Sequence, residues 1–351
     1  MTQKFDVVIG NPPYQGDSVG ESTHNMPVYD KFMDAAYEVG TQVVLITPAR
    51  FLTDAGFTPK AWNQKMLADE HLRVAHFEPD SNRLFPGLTD PIKGGIAVTH
   101  RDVNRKLGPI GFFSPHQQLN GIREKVEATG TPSLTTLGIT NDRQHRYTDA
   151  MHIENPQARG LMSAGNPYKL DAGAFDRLPF LFHEVKPEDS HDYLQILGLS
   201  GKKRATRWLR SDYIAGPRSL GAFKVAVPAA NGSGSTTDFF GVELNNPTVL
   251  GPQTAVTGTF LTIGCFDTEA EARALLKYVK SKFARAMLGI RKTTQHNAAH
   301  TWRHIPAQDF TAASDIDWSK SIPEIDQQLY AKYGLDADEI AFIEDRVKPM
   351  Q

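Results

Sequence analysis

The chain has 351 residues, a formal net charge of −2 and a hydrophobic content of 40%, which are typical of a globular protein large enough for two domains. It contains no run of about eighteen apolar residues and no basic N-terminal segment followed by an apolar one, so we expect a cytoplasmic protein that neither spans a membrane nor carries a signal peptide. The single cysteine, Cys265, cannot form an internal disulfide, and the scattered histidines predict no metal site.

The first hundred residues alternate between short apolar runs and amphipathic segments. FDVVI (5–9), bounded by Gly10 and two prolines, is typical of a buried parallel strand. Further strands are predicted at VVLI (43–46), RVAHFE (73–78) and GGIAVTHR (94–101). The last two have no clear helix between them, which predicts a hairpin at one edge. The alternation favours an open α/β sheet with helical layers.

Two helices are predicted between these strands. The first follows Pro27 and ends at Gly40, which is placed as a terminator. The second runs from about Pro59 to Ala68. The predicted core face of the first helix contains the residues Val28, Phe32, Ala35, Ala36 and Val39.

After about residue 125 the chain becomes rich in Gly, Pro and Ser, with short, irregular strands. One helix is predicted over Thr268–Leu288, with a capping box formed by Thr268 and Glu271 and a left-handed cap at Gly289. A second capping box, Asp336 with Glu339, predicts a terminal helix that ends near Val347. We therefore divide the chain into 1–125, a mixed α+β domain over 126–310, and a helical C-terminal tail over 311–351.

Positive charge is concentrated in two stretches of the second half. Seven Lys or Arg residues and one acid lie between Lys202 and Lys224, and eight basic residues and one acid lie between Glu271 and Ile305. Five of the latter share the polar face of the predicted helix, namely Arg273, Lys277, Lys280, Lys282 and Arg285. Clustered cations favour a surface that binds a polyanion, although a solvated charged face has the same composition.

Asn11-Pro12-Pro13-Tyr14 follows the first strand directly. Ligands of open α/β sheets bind beyond the carboxyl ends of the strands. An Asn side-chain oxygen and a rigidly held Pro12 carbonyl can both accept from one NH₂ group and stabilise the positive charge that develops when its nitrogen is alkylated. Tyr14 adds a ring on which a flat base can stack. The motif therefore predicts methylation of an amino group on a planar substrate.

With its flanking segments, the motif resembles the NPPY-type adenine-specific DNA methyltransferases of type II restriction-modification systems. VYDKF (28–32) is similar to the family segment whose last aromatic stacks on the adenine of S-adenosylmethionine, which implies a cofactor contact for Phe32. ITPARFL (46–52) is similar to the family's next strand and loop, and RLFPG (83–87) to the loop that walls the flipped-base pocket, here with Phe85. The resemblance implies catalytic roles for Asn11, Pro12, Tyr14 and Phe85. Phe32 also fits a helix core, and Phe85 a loop anchor.

The later residues resemble, more weakly, the target-recognition domain of the same family, which implies double-stranded DNA as a partner. Gln295, Asn297 and Arg303 are of types that read base edges, and Arg291 and Lys292 are of types that bind phosphates. Ordinary loop polarity explains each of them equally well. The predicted DNA-binding residues are Lys202, Lys203, Arg204, Lys280, Arg291, Lys292, Gln295 and Arg303.

The resemblance also implies a gap. Family members of this order carry a Gly-rich cofactor loop and an acidic ribose-binding residue before the motif, whereas only MTQK precedes the first strand here. We therefore expect a partial Rossmann-like methyltransferase sheet with the family's strands four to seven, whose unpaired edge needs a second chain that supplies the missing half or is altered and covered.

An alternative is a permuted methyltransferase, in which FKVAVPAANGSGSTTDFF (223–240) would supply the Gly-rich loop. Such a loop opens a helix, whereas the residues that follow are poor in helix formers, so we interpret this segment as a strand and loop of the recognition domain.

Two other functions compete with DNA methylation. Glutamine methyltransferases that act on release factors share NPPY, but they end soon after the catalytic domain. A non-catalytic DNA-binding subunit or remnant would keep the base pocket without holding the cofactor. No nuclease motif is visible; Glu78 and Asp80 alone do not make one.

Overall fold

The computed structural model describes residues 5–16, 26–53, 57–87, 91, 92, 94–114, 116–140, 144–162, 165–230, 244–290, 297 and 299–350. Within these residues the chain is a mixed α/β protein with four sheets and eleven α-helices. It divides into two units, Met1–Asn120 and Gly121–Gln351. The boundaries predicted after residues 125 and 310 remain predictions. No helix of the described ranges is both long and apolar enough to cross a bilayer.

The first unit contains the predicted strands and helices with shifted ends, and a one-turn helix that the sequence did not predict. They are β1 (Phe5–Gly10), α1 (Tyr29–Val39), β2 (Gly40–Pro48), α2 (Lys60–Ala68), β3 (Leu72–Glu78), the unpredicted α3 (Ser81–Leu84) and β4 (Ile96–Asp102).

The strands of the first unit form one sheet with the order β1-β2-β4-β3. β1 is parallel to β2, with Phe5 opposite Gly40, while β4 is antiparallel to both β2 and β3. The predicted edge hairpin is thereby confirmed as β3 with β4. Because β4 is antiparallel to both neighbours, β3 runs in the same direction as β2 and β1. The carboxyl ends of these three strands therefore lie at the same end of the sheet.

The core of the first unit lies on one face of this sheet. Val43 and Leu45 of β2, Leu72 of β3 and Ala97 of β4 pack with α1 and α2. The two helices are also tied to each other, because the Trp62 indole donates to an Asp34 carboxylate oxygen at 3.0 Å. The helices therefore cover this face of the sheet.

The predicted core face of α1 is wrong for Phe32 and Ala35, although Ala36 packs against the core. The residues of α1 that are buried are Tyr29, Asp30 and Met33, whereas Phe32 is 46% exposed and Ala35 is exposed. The helix carries two apolar stripes, and the stripe with Tyr29 and Met33 packs into the core. Periodicity alone could not choose between them.

Gly40 ends α1, which confirms the predicted terminator. Its backbone is extended, with φ −105° and ψ 137°, and it begins β2 directly. A Cβ at this position would lie 2.8 Å from methyl groups of Val8 and Val43, so close packing between helix end and sheet explains the glycine.

The prediction that FDVVI is a buried strand is also wrong. Phe5, Val7 and Ile9 are 57%, 52% and 77% exposed, and Val8 alone of the run packs against the core. β1 is the outermost strand of the described sheet, with β2 as its neighbour, and its odd-numbered side chains lie on the face opposite to the core. The first unit thus presents an apolar edge strand.

The second unit is built from many short elements. In chain order they are α4 (Gln117–Ala128, whose first turn lies in the first unit), β5 (Ile139–Thr140), β6 (Arg146–Tyr147), α5 (Asp149–Glu154), α6 (Ala158–Leu161), α7 (Ala174–Arg177), β7 (Tyr193–Ser200), β8 (Lys203–Arg210), β9 (Ile214–Ala215), β10 (Phe223–Pro228), β11 (Thr248–Leu250), β12 (Thr254–Val256), β13 (Phe260–Phe266), α8 (Glu269–Lys280), α9 (Lys282–Gly289), α10 (Ile322–Lys332) and α11 (Ala337–Arg346). This composition confirms the predicted mixed α+β character.

Three sheets organise these elements, with the orders β11-β10-β13-β5, β12-β7-β8 and β6-β9. On β10, Lys224 is fully buried, and its ammonium donates to the carbonyl oxygens of Leu220, Ala222 and Gly251 at 3.3, 3.0 and 2.9 Å. Burial lowers the pKa of Lys224 to about 8. The nearby His145 is buried too, and desolvation followed by the charge of Lys224 lowers its pKa to about 4.

The helix predicted over Thr268–Leu288 is two helices. The Thr268–Glu271 capping box is confirmed at the start of α8, but α8 ends at Lys280 and Ser281 adopts φ −59° and ψ 150°, which begins α9. The first N–H groups of α9 are paired: Ser281 Oγ accepts from Ala284, and the Asp326 carboxylate accepts from Lys282 and Phe283. Gly289 belongs to α9, and Ile290 follows in a helical conformation.

The terminal helix is confirmed as α11, with both bonds of the predicted Asp336–Glu339 capping box. Lys125 of α4 pairs with Glu339 at 2.6 Å and with Asp336 at 3.2 Å. The start of α11 is therefore anchored to α4.

Candidate functional site

The Asn11-Pro12-Pro13-Tyr14 loop begins where β1 ends, at the carboxyl end of the sheet. Asn11 and Pro13 are exposed, while Pro12 and Tyr14 are half-buried. The loop after β2, which resembles a family loop, and the loop after β3, which contains Phe85, lie at the same end, because these strands run in the same direction as β1. The topology therefore brings the three segments to the place where open α/β sheets bind ligands.

Tyr14 supplies a ring rather than a proton acceptor. Its hydroxyl oxygen is buried and makes no hydrogen bond within the described part of the chain. Burial raises the pKa of Tyr14 to about 12, an effect that the nearby Asn11 side chain opposes. The phenol is therefore neutral at neutral pH, and its useful feature here is the aromatic face.

Two backbone hydrogen bonds connect Tyr14 to Phe32. The Val28 N–H donates to the Tyr14 carbonyl oxygen at 3.1 Å, and the Phe32 N–H donates to the Val28 carbonyl oxygen at 3.3 Å. Gly16 also donates to Met26 at 3.0 Å, so the loop runs beside the start of α1. The structure thus links the predicted base-binding tyrosine to the exposed ring predicted to contact the cofactor.

Phe85 lies at the end of α3, beyond β3. Its N–H donates to the Ser81 carbonyl oxygen at 2.9 Å, and its side chain is half-buried. β3 and β1 are separated by two strands, so their axes are roughly 14 Å apart. No hydrogen bond or ring contact among the described residues joins Phe85 to Asn11 or Tyr14. The two predicted walls share an end of the sheet but are not in contact.

Two buried polar residues near this end were missed by the sequence reasoning. Asp30, in the first turn of α1, and Thr47, near the end of β2, each have a buried oxygen with no hydrogen-bond partner among the described residues. Asp30 stands within the VYDKF segment and Thr47 within ITPARFL, two segments that resemble those of the family. In the sequence, an acidic residue in an otherwise apolar helix turn could have indicated Asp30. Asp30 and Thr47 are both candidates to contact a ligand.

The predicted DNA-binding residues of the β7–β8 hairpin have different environments. Lys202 and Lys203 are exposed at its tip, next to Gly201, which has a positive φ of 58°. Arg204 is engaged within the chain: its guanidinium donates to the carbonyl oxygens of Asn245 and Asn246 and lies 5.0 Å from the centre of the Phe260 ring. The tip therefore presents two lysines to solvent.

The basic face of α8 and α9 is largely engaged with the C-terminal residues. Lys277 donates to the carbonyl oxygens of Trp318, Ser319 and Lys320, while Lys282 pairs with Glu344. Arg285 is fully buried and donates to the carbonyl oxygens of Lys280, Ser281 and Lys348. These three cations stabilise the fold.

The structure describes only some of the remaining residues that were predicted to contact DNA. Lys280 is half-buried, and burial lowers its pKa, whereas Arg303 is exposed. Asn297 is buried, donating from its side chain to the Pro228 carbonyl oxygen at 2.9 Å, so it is a structural residue. Arg291, Lys292, Gln295 and most of the alternative Gly-rich loop lie outside the described residues. No group of three or more metal-ligating side chains occurs in the described ranges.

Comparison with known proteins gives one family match, to residues 1–85, which fit the family model of the Eco57I restriction-modification methylase. Two solved structures are similar at low level: the type IIG restriction endonuclease BpuSI, with 12% identity and a TM-score of 0.36, and the type IIL restriction-modification enzyme MmeI in complex with DNA, with 8% and 0.34. Each match covers 97% of this chain but only 53% and 56% of the other, so the chain spans about half their length. No curated protein matches the sequence.

Proposed function

We propose that this protein methylates the exocyclic amine of an adenine flipped out of duplex DNA, as part of a restriction-modification system, with S-adenosylmethionine as the methyl donor. The observation that carries the proposal is the Asn11–Tyr14 loop at the carboxyl end of β1, with the segments of Phe32 and Phe85 at the same end of the sheet. The match of residues 1–85 to a restriction-modification methylase family supports it.

In this proposal the chain's residues hold and orient the base. The Asn11 side-chain oxygen and the Pro12 carbonyl oxygen accept from the adenine amine, direct its lone pair and stabilise the positive charge that develops on nitrogen. The neutral Tyr14 ring stacks on one face of the base, and Phe85 approaches the other face when the DNA is bound. The amine proton then leaves to water.

The cofactor fits the described residues only in part. Phe32 has an exposed aromatic ring, and two successive backbone hydrogen bonds through Val28 connect it to Tyr14. An exposed ring at this place suits stacking against the adenine of S-adenosylmethionine. When bound, that molecule would supply an electrophilic methyl group, whose bond to sulfur breaks as its bond to the adenine nitrogen forms, so that S-adenosylhomocysteine is the leaving group. The described residues at this end of the sheet form no Gly-rich loop that opens a helix.

We propose that a second polypeptide supplies the rest of the cofactor pocket by pairing with the edge of β1 that no described strand occupies. An edge strand carries a row of unpaired N–H and C=O groups that another strand satisfies. The exposed side chains of Phe5, Val7 and Ile9 continue the apolar surface beside that edge. Calorimetric titration with S-adenosylmethionine tests this step: we expect no heat of binding for the isolated chain, and micromolar binding would overturn it.

Transfer of labelled methyl groups to duplex DNA tests the function. We expect transfer by the full chain together with the partner polypeptide, and its loss in Asn11→Ala. Asn104→Ala is the matched control, because Asn104 follows β4 at the opposite end of the sheet and is exposed. Binding of DNA without transfer, in the presence of the partner, would favour a non-catalytic DNA-binding subunit instead. Transfer to a release-factor glutamine would overturn the choice of substrate.

A further inference from the structure

Asp30, in the first turn of α1, carries a buried carboxylate. It is 8% exposed, and its Oδ1 atom has no hydrogen-bond partner among the described residues. Asp34 stands one turn later on the same helix, and both of its oxygens are paired: Oδ2 accepts from the Trp62 indole at 3.0 Å and Oδ1 from the Lys65 ammonium at 2.9 Å. A buried polar group without a hydrogen bond costs free energy, so Asp30 calls for an explanation that Asp34 does not need.

The backbone beside Asp30 offers hydrogen-bond donors. No side chain caps α1, and neither the Tyr29 N–H nor the Asp30 N–H donates to an acceptor within the described part of the chain. The preceding N–H, that of Val28, is taken by the Tyr14 carbonyl oxygen. The start of this helix therefore combines two N–H donors, which attract an anion, with a carboxylate, which attracts a cation.

A second unsatisfied acceptor lies at the same corner of the first unit. α1 ends at Gly40, where β2 begins, so the start of α1 lies toward the carboxyl end of β2. The rings of Tyr29 and Phe51, whose centres are 6.3 Å apart, agree with this arrangement. Thr47 lies on the same face of β2 as Leu45, the face on which α1 packs, and its buried Oγ1 has no partner among the described residues.

This set of groups fits the zwitterion of an α-amino acid. Its carboxylate accepts from backbone N–H groups at a helix start, and its ammonium donates to a carboxylate and a hydroxyl. A phosphate does not fit, because its charge repels the Asp30 carboxylate. A simple cation does not fit either, because it leaves the two N–H groups without an acceptor.

We infer that the start of α1 binds the α-amino-acid end of S-adenosylmethionine. The ammonium donates to Asp30 and Thr47, and the carboxylate accepts from the N–H groups of Tyr29 and Asp30. The choice of ligand rests on the proposed function.

The placement agrees with the other proposed contacts of the cofactor. Phe32 lies two residues after Asp30, about 200° around the helix axis, so the two side chains take opposite ends of an elongated molecule. The short side chain of the amino acid keeps the sulfur near the Tyr14 loop, which the Val28 N–H joins to α1.

The experiment titrates the isolated full chain with L-methionine and follows its backbone amide resonances. We expect the Tyr29 and Asp30 resonances to shift with an affinity in the millimolar range, too weak for the calorimetric titration described above. Asp30→Asn is expected to weaken binding by about tenfold or more, because a hydrogen bond between charged groups is lost. Glu38→Gln is the matched control and is expected to bind like the wild type, since it removes an exposed carboxylate from the other end of the same helix.

Thr47→Val removes one hydroxyl and is expected to weaken binding of methionine by less than Asp30→Asn does. It keeps the test decisive if Asp30→Asn does not fold. Absence of any shift at the start of α1 in the wild type would overturn the inference, as would unchanged affinity in both variants.

Analogues of methionine show which groups meet. The desamino analogue keeps the carboxylate and lacks the ammonium, so we expect it to bind Asp30→Asn no more weakly than it binds the wild type. The methyl ester keeps the ammonium and is expected to bind Asp30→Asn more weakly. If Asp30→Asn loses as much affinity for the desamino analogue as for methionine, the ammonium and the Asp30 carboxylate do not meet, and the inference is wrong.

The inference and the proposed function fail in different ways. Methyl transfer to DNA by a chain that shows none of the methionine effects would refute the inference and leave the proposed function. The expected methionine effects without transfer to any duplex, in the presence of the partner polypeptide, would refute the proposed function, and S-adenosylmethionine as the ligand with it.

Discussion

The Val28 N–H donates to the Tyr14 carbonyl oxygen at 3.1 Å, and through this bond the loop after β1 is joined to the first turn of α1. The bond crosses from the predicted base pocket to the helix that carries Phe32. Since the Tyr14 backbone is held in this way, substitutions of its side chain test the role of the ring separately from the course of the loop.

Tyr14→Phe is expected to leave the free energy of unfolding unchanged to within about 0.5 kcal/mol, because the buried hydroxyl that it removes makes no hydrogen bond among the described residues. It keeps the aromatic face and therefore also keeps the binding of a flipped base. Tyr14→Ala is expected to lose that binding. Urea unfolding and the fluorescence of 2-aminopurine at the target position measure the two effects. Equal loss of base binding in both variants would show that the hydroxyl, not the ring, contacts the base.

Ile9→Lys is expected to change the free energy of unfolding by no more than about 0.5 kcal/mol, because this side chain is 77% exposed. Val8→Lys makes the same change at the next residue, whose side chain packs against the core, and is expected to cost several times as much. Urea denaturation of both variants checks this contrast. Similar losses in the two would mean that the outer face of β1 is covered within this chain. With the partner polypeptide present, Ile9→Lys is expected to weaken their association.

Ser281→Ala removes one of the side chains that cap α9. Ser281 Oγ accepts from the Ala284 N–H at 3.1 Å, and loss of such a cap costs about 1 kcal/mol. Asp326→Ala removes the acceptors of two further N–H groups, those of Lys282 and Phe283, and is expected to cost more than Ser281→Ala. Chemical denaturation compares the two, with the exposed Ser190→Ala as the control. A smaller loss for Asp326→Ala than for Ser281→Ala would contradict this account of the helix break.

His145 predicts a loss of stability in mild acid. Burial and the nearby Lys224 lower the pKa of His145 to about 4, below its ordinary value of about 6.5. The folded state therefore binds this proton less readily than the unfolded state does. The contribution is complete above about pH 6.5 and is lost as the pH falls toward 4, by about 3 kcal/mol in all. Urea unfolding of the wild type and of His145→Gln across this range isolates it, since the variant has no such titration. Parallel pH curves for the two proteins would contradict the prediction.

The sequence predicted the order of strands and helices in the first unit because each strand there is a short apolar run between turn residues. It did not predict which face of α1 is buried, since Phe32 and Met33 stand next to each other on two apolar stripes and the choice depends on how β2 packs. It also predicted a buried β1 from hydrophobicity alone. Burial of an edge strand depends on neighbours, and sequence pattern within the strand does not reveal whether they are present.

In the second unit, the positive charge of α8 and α9 indicated a DNA surface, but Lys277, Lys282 and Arg285 bind carbonyl and carboxylate oxygens of the C-terminal residues. Composition gives the number of cations and not their partners, which lie more than forty residues away along the chain.

Lys224 acts inside its sheet as a permanently tethered counterpart of a bound alkali ion, with three carbonyl oxygens as its ligands. Because this cation is covalently part of β10, dilution or chelation cannot remove it, and its occupancy depends on protons alone. Above a pH of about 8 the neutral amine has two N–H donors for three acceptors, so one carbonyl oxygen loses its partner. Deprotonation of Lys224 at alkaline pH therefore destabilises the sheet around β10, in the same way that removal of the metal ion destabilises a protein whose fold requires it.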